Sequence, residues 1–144
     1  MTLKKHANIK DFLDEYKDFY SIGINWRLFG DNGQLNVKDN NYSLLTRFTR
    51  CERELNKHIK LIINLALAKN NLHFVLPHCV LESLKFNVTV SVDKTHYIHG
   101  PFNMQFDINN PIAYLNHYLS KTKQEWIENK IPKGKCDCPL NHPA

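Results

Sequence analysis

The sequence has no run of five or more lysines and arginines, no glycine-rich phosphate loop, no Ser–His–Asp arrangement that spacing can show and no paired-acid signature. The first absence argues against a nucleic-acid partner. The net charge of +5, with eight histidines besides, is spread along the 144 residues, and a dispersed excess of this size serves solubility. The longest apolar run, residues 61–68, is far too short to span a bilayer and contains Asn64, so no transmembrane segment is expected. The opening Met-Thr-Leu-Lys-Lys-His leads into polar sequence without an apolar h-region, which reads as a cytoplasmic chain without a signal peptide. Linkers, repeats and low-complexity tracts are missing too, so the chain is one domain or part of a larger one.

Cysteine is sparse. Cys51, Cys79, Cys136 and Cys138 are expected as thiols in a cytosolic chain. Cys136-x-Cys138 with His142 comes nearest to a metal cluster, but a single intervening residue is not the usual zinc spacing. The tail from Pro132 has no periodicity, and 138–144 is expected to be poorly ordered. The sequons at Asn41 and Asn87 carry meaning only on a secreted chain.

What is present suffices for a core: 42% hydrophobic and 11% aromatic residues. Asn8 can cap a short helix with Ile9, Phe12, Leu13 and Tyr16 on its apolar face. From Tyr20 the period changes to two: Tyr20, Ile22, Ile24, Trp26 and Leu28 alternate with small or polar residues, predicting a strand that breaks at the turn Gly30-Asp-Asn-Gly33. Residues 36–43 are polar and read as a loop. Leu44 to Arg53 carries Arg47, Arg50 and Arg53 at threefold spacing; a helix there puts all three on one face, either as a diphosphate clamp or as a solvated basic face. The apolar stretch 57–67 fits helix or buried strand equally by period. Phe74 to Val80, interrupted by Pro77, reads as an edge strand or an extended segment. Phe86, Val88, Val90 and Val92 alternate with polar residues, predicting a strand with a solvated face and a return at Thr95 to His99 after Asp93-Lys94.

The stretch with most chemistry is 114–126. His117 ends a strand-like segment, Lys121 follows, and Thr122-x-x-Glu125 fits a capping box that opens a helix carrying Trp126 and Ile127. Ligands gather at such strand-to-helix junctions in α/β proteins. The same residues also fit a plain arrangement, with His117 packed at the strand end and Lys121 in solvent.

Several pieces, in this order, resemble the C-terminal half of bacterial family-2-like glycosyltransferases related to the family 92 group, which contain a GT-A-type nucleotide-sugar-binding domain. They are Ile24-Asn-Trp-Arg-Leu-Phe-Gly30 with Asn32-Gly33, Thr46-Arg-Phe-Thr-Arg50, Lys57-His-Ile-Lys60 with Ile62-Ile-Asn64, Pro77-His78, Gly100-Pro-Phe-Asn103, Asn116-His-Tyr118 with Lys121-Thr122 and Glu125-Trp126, and Lys133-Gly134. The match runs from about residue 8 to 137. The chain departs from the pattern at Asp31, in place of a small polar residue, at Leu61, and at Leu65, where the family has proline.

The resemblance implies an α/β (α+β) fold, a partial GT-A-like mixed sheet with a few flanking helices. Residues 1–137 are then the acceptor-side portion of a glycosyltransferase that moves a sugar from a nucleotide-sugar donor to a surface-polysaccharide acceptor. It also implies a missing N-terminal half: no Asp-x-Asp motif occurs, so the chain is expected to be truncated or split, and a divalent cation (Mn or Mg) is expected only if that half is supplied. Carried over residue by residue, Trp26 offers a face to a sugar ring, and Arg47, Arg50 and Lys60 neutralise donor phosphates or shape the acceptor site. His117 approaches the metal or the leaving diphosphate with Lys121 nearby, and Asp31 is the best-placed base. A second reading is a non-catalytic carbohydrate- or partner-binding module, its exposed apolar face covered by another chain or by a second copy.

Overall fold

The computed structural model describes residues 1–36, 43–69, 72–76, 78–106, 110–119 and 121–132. Pro77, the Lys133–Gly134 pair, Cys136, Cys138 and His142, and most of the 36–43 loop lie outside them. Two compact units appear: Met1–Arg27 with Arg53–Asn116, and Leu28–Glu52 with the residues from His117 onward.

In chain order the elements are β1 (Thr2–Leu3), α1 (Ile9–Asp14), β2 (Ser21–Leu28), α2 (Leu44–Arg47), β3 (Asn56–Ile63), α3 (Leu65–Ala68), β4 (Phe74–Leu76), β5 (Cys79–Val80), α4 (Leu81–Lys85), β6 (Thr89–Ser91), β7 (Ala113–His117) and α5 (Lys123–Glu125), which continues as a π-helical turn, Trp126–Lys130. The architecture is mixed α+β. Among the described residues no helix is long and apolar enough to cross a membrane.

The first unit is built around β2. It pairs antiparallel with β3 (Ile22↔Ile62, Ile24↔Lys60) and parallel with β6 (Ser21↔Thr89, Gly23↔Ser91). β7 is its neighbour on the path β1-β7-β2-β3, so the sheet is mixed. Asn8 Oδ1 accepts from the Asp11 N–H (3.0 Å) and starts α1. That cap aims Phe12 and Tyr16 at Ile22, Ile24, Val90, Val92 and Ala113, which form the core. Ile9, expected on the same face, is instead 47% exposed.

The strand period needs a correction on its polar side. Ser21, Asn25, Thr89 and Ser91 are as buried as Ile22, Ile24 and Val90 beside them, so the expected solvated face of the 86–92 strand does not exist; β6 covers only Thr89–Ser91, and Phe86 and Asn87 lie exposed before it. The cause is the crowding of β2. Three partner strands and cover on both faces turn the alternation into two buried faces, one apolar and one hydrogen-bonded, as between Ser21 Oγ and Thr89 Oγ1 (2.7 Å). The chain turns back after Asp93-Lys94, with Lys94 at φ 60°, but Thr95 to His99 pairs only through a single bridge, Val90 to Tyr97, and forms no strand.

The 57–67 ambiguity resolves into both answers. β3 ends at Ile63, and Asn64 Oδ1 then accepts from the Ala66 N–H (3.1 Å) to start α3. The expected long helix through Arg47, Arg50 and Arg53 is replaced by the four-residue α2, after which Phe48 is extended and fully buried. The backbone beyond it is taken up by pairing in the second unit: Gly30 N–H donates to Arg50 O and Glu52 N–H to Leu28 O, which excludes helix there. The three arginines therefore share no helical face.

Tyr16 donates its hydroxyl proton to Val92 O, deep in the first unit. Burial, with Glu15 and Asp93 nearby, pushes its pKa up to about 12 from 10.0. Tyr16→Phe is expected to cost about 1 kcal/mol near neutral pH through the lost bond. The wild-type contribution is complete below the unfolded value of 10.0 and falls as pH rises toward 12, so thermal unfolding of the two proteins should converge over that window.

Candidate functional site

The second unit gathers the 114–126 chemistry. β7 ends at His117, whose carbonyl accepts from the Phe29 N–H (2.9 Å), and the Tyr118 ring lies 4.8 Å from that of Phe29. The predicted capping box is present. Thr122 Oγ1 accepts from the Glu125 N–H (3.1 Å), and Glu125 Oε2 accepts from the Thr122 N–H (3.2 Å) and hydroxyl (2.9 Å). Thr122 is fully buried, so the start of α5 is fixed in place.

Glu125 has a further partner that no local pattern announced. Arg47 grips it with both guanidinium nitrogens, Nη1 to Oε1 at 3.1 Å and Nη2 to Oε2 at 2.6 Å, with both side chains more than four-fifths buried. Arg47 is itself held from behind, its carbonyl accepting from Asn32 Nδ2 (3.0 Å) and Gln34 Nε2 (2.9 Å). The Arg47 hydrogen bonds, against the opposing effect of burial and aided by Thr122, lower the Glu125 pKa to about 2 from 4.5. The Arg47 fork is thus committed to a carboxylate rather than open to a phosphate.

Around this clamp opens a cleft of about 240 Å³ lined by His117, Tyr118, Leu119, Lys121, Glu125, Trp126 and Asn129. It joins an imidazole, an exposed ammonium, an amide and an indole 39% exposed. Such a set suits an anionic or polar ligand with a flat apolar part. Of the residues singled out from the sequence, His117 and Lys121 meet here.

The others lie elsewhere. Asp31 sits in the turn, its Oδ1 accepting from the Gly33 N–H (2.9 Å), while Asn32 and Gly33 adopt φ of 56° and 73°. Arg50 is exposed; its backbone N–H donates to Asn32 Oδ1 (3.0 Å). Trp26 and Lys60 belong to the first unit. Trp26 is 6% exposed, stacks on His58 at 4.9 Å, meets the edge of His78 at 5.1 Å and lies under the Lys60 ammonium at 5.4 Å. Little of its ring is left to receive a sugar.

The donor set at His117 does not fit a divalent cation unaided. Mg²⁺ and Mn²⁺ favour oxygen ligands, the cleft's one carboxylate is bound to Arg47, and Lys121 adds positive charge. Among the described residues no group of three or more His, Cys, Asp and Glu side chains is placed to hold a metal ion. Comparisons with family models, with curated proteins and with solved structures find no match to this chain.

Proposed function

We propose that this chain is the acceptor-side portion of a sugar-nucleotide-dependent glycosyltransferase that extends a surface polysaccharide, with the His117–Lys121 cleft receiving the leaving diphosphate. The observation that carries it is the cleft itself: His117 and Lys121 converge beside a helix start held by Thr122, Glu125 and Arg47. In transfer with inversion, the acceptor hydroxyl bonds to the anomeric carbon, the bond to the diphosphate oxygen breaks, and a base takes the hydroxyl proton. His117 and Lys121 supply hydrogen bonds and charge to the departing diphosphate, and preorganised donors do this at little reorganisation cost. Asp31, the base expected from the sequence, does not line this cleft, so the proposal leaves the base to another segment or polypeptide. The sequence holds no Asp-x-Asp, so a donor metal site has to come from another polypeptide or segment.

Titration with UDP, with and without Mn²⁺, tests the cleft. Weak binding is expected, little changed by the metal, and His117→Ala or Lys121→Ala should each reduce it roughly tenfold by removing a hydrogen-bond donor. Tight, metal-dependent binding indifferent to both substitutions would refute the proposal.

A non-catalytic carbohydrate- or partner-binding module is the second reading. It is favoured by Leu35 and Ile127, 66% and 50% exposed, which line an open groove in the second unit. Sedimentation as a monomer that captures neither glycan nor a second copy would count against it.

A further inference from the structure

The first unit holds a separate cleft, of about 220 Å³, that the proposed transfer chemistry does not use. Its wall is a buried polar relay. Asn103 Nδ2 donates to Asn25 Oδ1 (2.9 Å), and Asn25 Nδ2 donates to the carbonyls of Asn56 (3.0 Å) and Asn103 (3.2 Å). His96 donates from Nε2 to Asn103 Oδ1 (2.7 Å), which also accepts from the Gln105 N–H (3.0 Å). Asp93 Oδ1 accepts from Ser91 Oγ (2.5 Å), Thr95 Oγ1 (2.7 Å) and the Thr95 N–H (3.1 Å). Asn25, Asn103 and Ser91 are 0%, 2% and 1% exposed.

The unspent capacity decides the ligand. Each amide nitrogen has two protons and each carboxylate oxygen accepts at least one bond. Asn103 Nδ2 has spent one proton, and Asp93 Oδ2 accepts nothing among the described residues. Asp93 and Asn103 both line the cleft, and Leu55, Phe106 and Pro111 supply apolar walls. A donor and an acceptor set in an apolar frame match neighbouring hydroxyls and the C–H face of a sugar ring. Asp93 and Lys5 put one charge of each sign on the lining, so the cleft has no net positive charge to select a phosphate; burial opposes ionisation of Asp93, but the Ser91 and Thr95 bonds outweigh it and hold its carboxyl below the usual range. A single carboxylate does not cage a metal ion. At about 220 Å³ the cleft lies below the roughly 300 Å³ at which drug-sized pockets begin, a size suited to a single ring.

We infer that this cleft binds one neutral pyranose ring, with Asp93 Oδ2 accepting from one hydroxyl, Asn103 Nδ2 donating to its neighbour, and Phe106 against the ring's apolar face. The site does not depend on the chain transferring sugar. Titrating the full chain with the methyl glycosides of glucose, galactose, mannose and N-acetylglucosamine, followed by amide NMR, tests it. At least one glycoside is expected to saturate in the roughly millimolar range, moving the side-chain NH₂ signals of Asn25 and Asn103 and the backbone of Ser91 to Thr95. Asp93→Asn retains shape but presents a donor in place of an acceptor, and should weaken binding about tenfold or more. Phe106→Ala gives a second reading, with a similar loss, should Asp93→Asn unfold. Excess UDP should leave the sugar shifts in place, so failure of the His117 cleft and failure of this one are separable. No saturable shift with any glycoside, shifts confined to other residues, or equal affinity in wild type and both variants would overturn the inference.

Discussion

Glu125→Gln is expected to destabilise the second unit by about 2–3 kcal/mol, the cost of removing a charged partner from a largely buried, doubly hydrogen-bonded pair. Glu125 does two jobs at once, closing the capping box on Thr122 and receiving the Arg47 fork, so Gln retains only part of either. Arg47→Met should cost a similar amount, because it leaves the carboxylate enclosed without its cation. The double variant should lose less than the sum, with a coupling of about 1–3 kcal/mol. The folded carboxyl titrates below its unfolded value, so its contribution is complete above 4.5 and fades as pH falls through about 2. Urea unfolding followed by Trp126 fluorescence between those limits should show wild type losing stability and converging on Glu125→Gln. A parallel, unchanging offset down to the acid limit would mean that the charge is not what matters.

Gly23→Ala should cost about 1–3 kcal/mol, as overpacking of a filled interior does. A Cβ at Gly23 lies 2.5 Å from Ile98 Cδ1 and 2.9 Å from Ile59 Cδ1. Both are the free ends of side chains, but Ile98 and Ile59 are 2% and 0% exposed and have little space to swing into. Removing one of those methyls supplies the control. Ile98→Val alone should cost about 0.5–1.5 kcal/mol, yet combined with Gly23→Ala it should recover part of the loss. Thermal unfolding of the four proteins decides it; a neutral Gly23→Ala would show that the isoleucines give way freely.

The parts of the fold legible in the sequence are those set by neighbours in the chain. Asn8 caps α1, Asn32-Gly33 turns the chain with positive φ, and Thr122-x-x-Glu125 starts α5, because each depends on groups within a few residues. What escaped notice was settled by distant partners. Arg47 and Glu125 lie 78 positions apart, so threefold arginine spacing suggested a basic helical face where one arginine is a clamp and the other two are exposed. Thr89 and Ser91 read as the solvated side of their strand because period two marks a change of face without saying what covers it. In the candidate site, His117 and Lys121 were legible as a pair; Asn129 in the same cleft and the Asp93–Asn103 relay were not, since no spacing rule joins residues brought together by a return loop.

The crowding of β2 has a kinetic corollary. Ser21 meets Thr89 across 68 positions, and its parallel ladder brings no benefit until that long loop has closed. Assembly of the sheet is then a late, whole-chain event rather than a local one. Until synthesis has passed Ser91, the edge of β2 at Ser21–Gly23 that β6 later pairs is open to foreign strands, even with β3 on its other side.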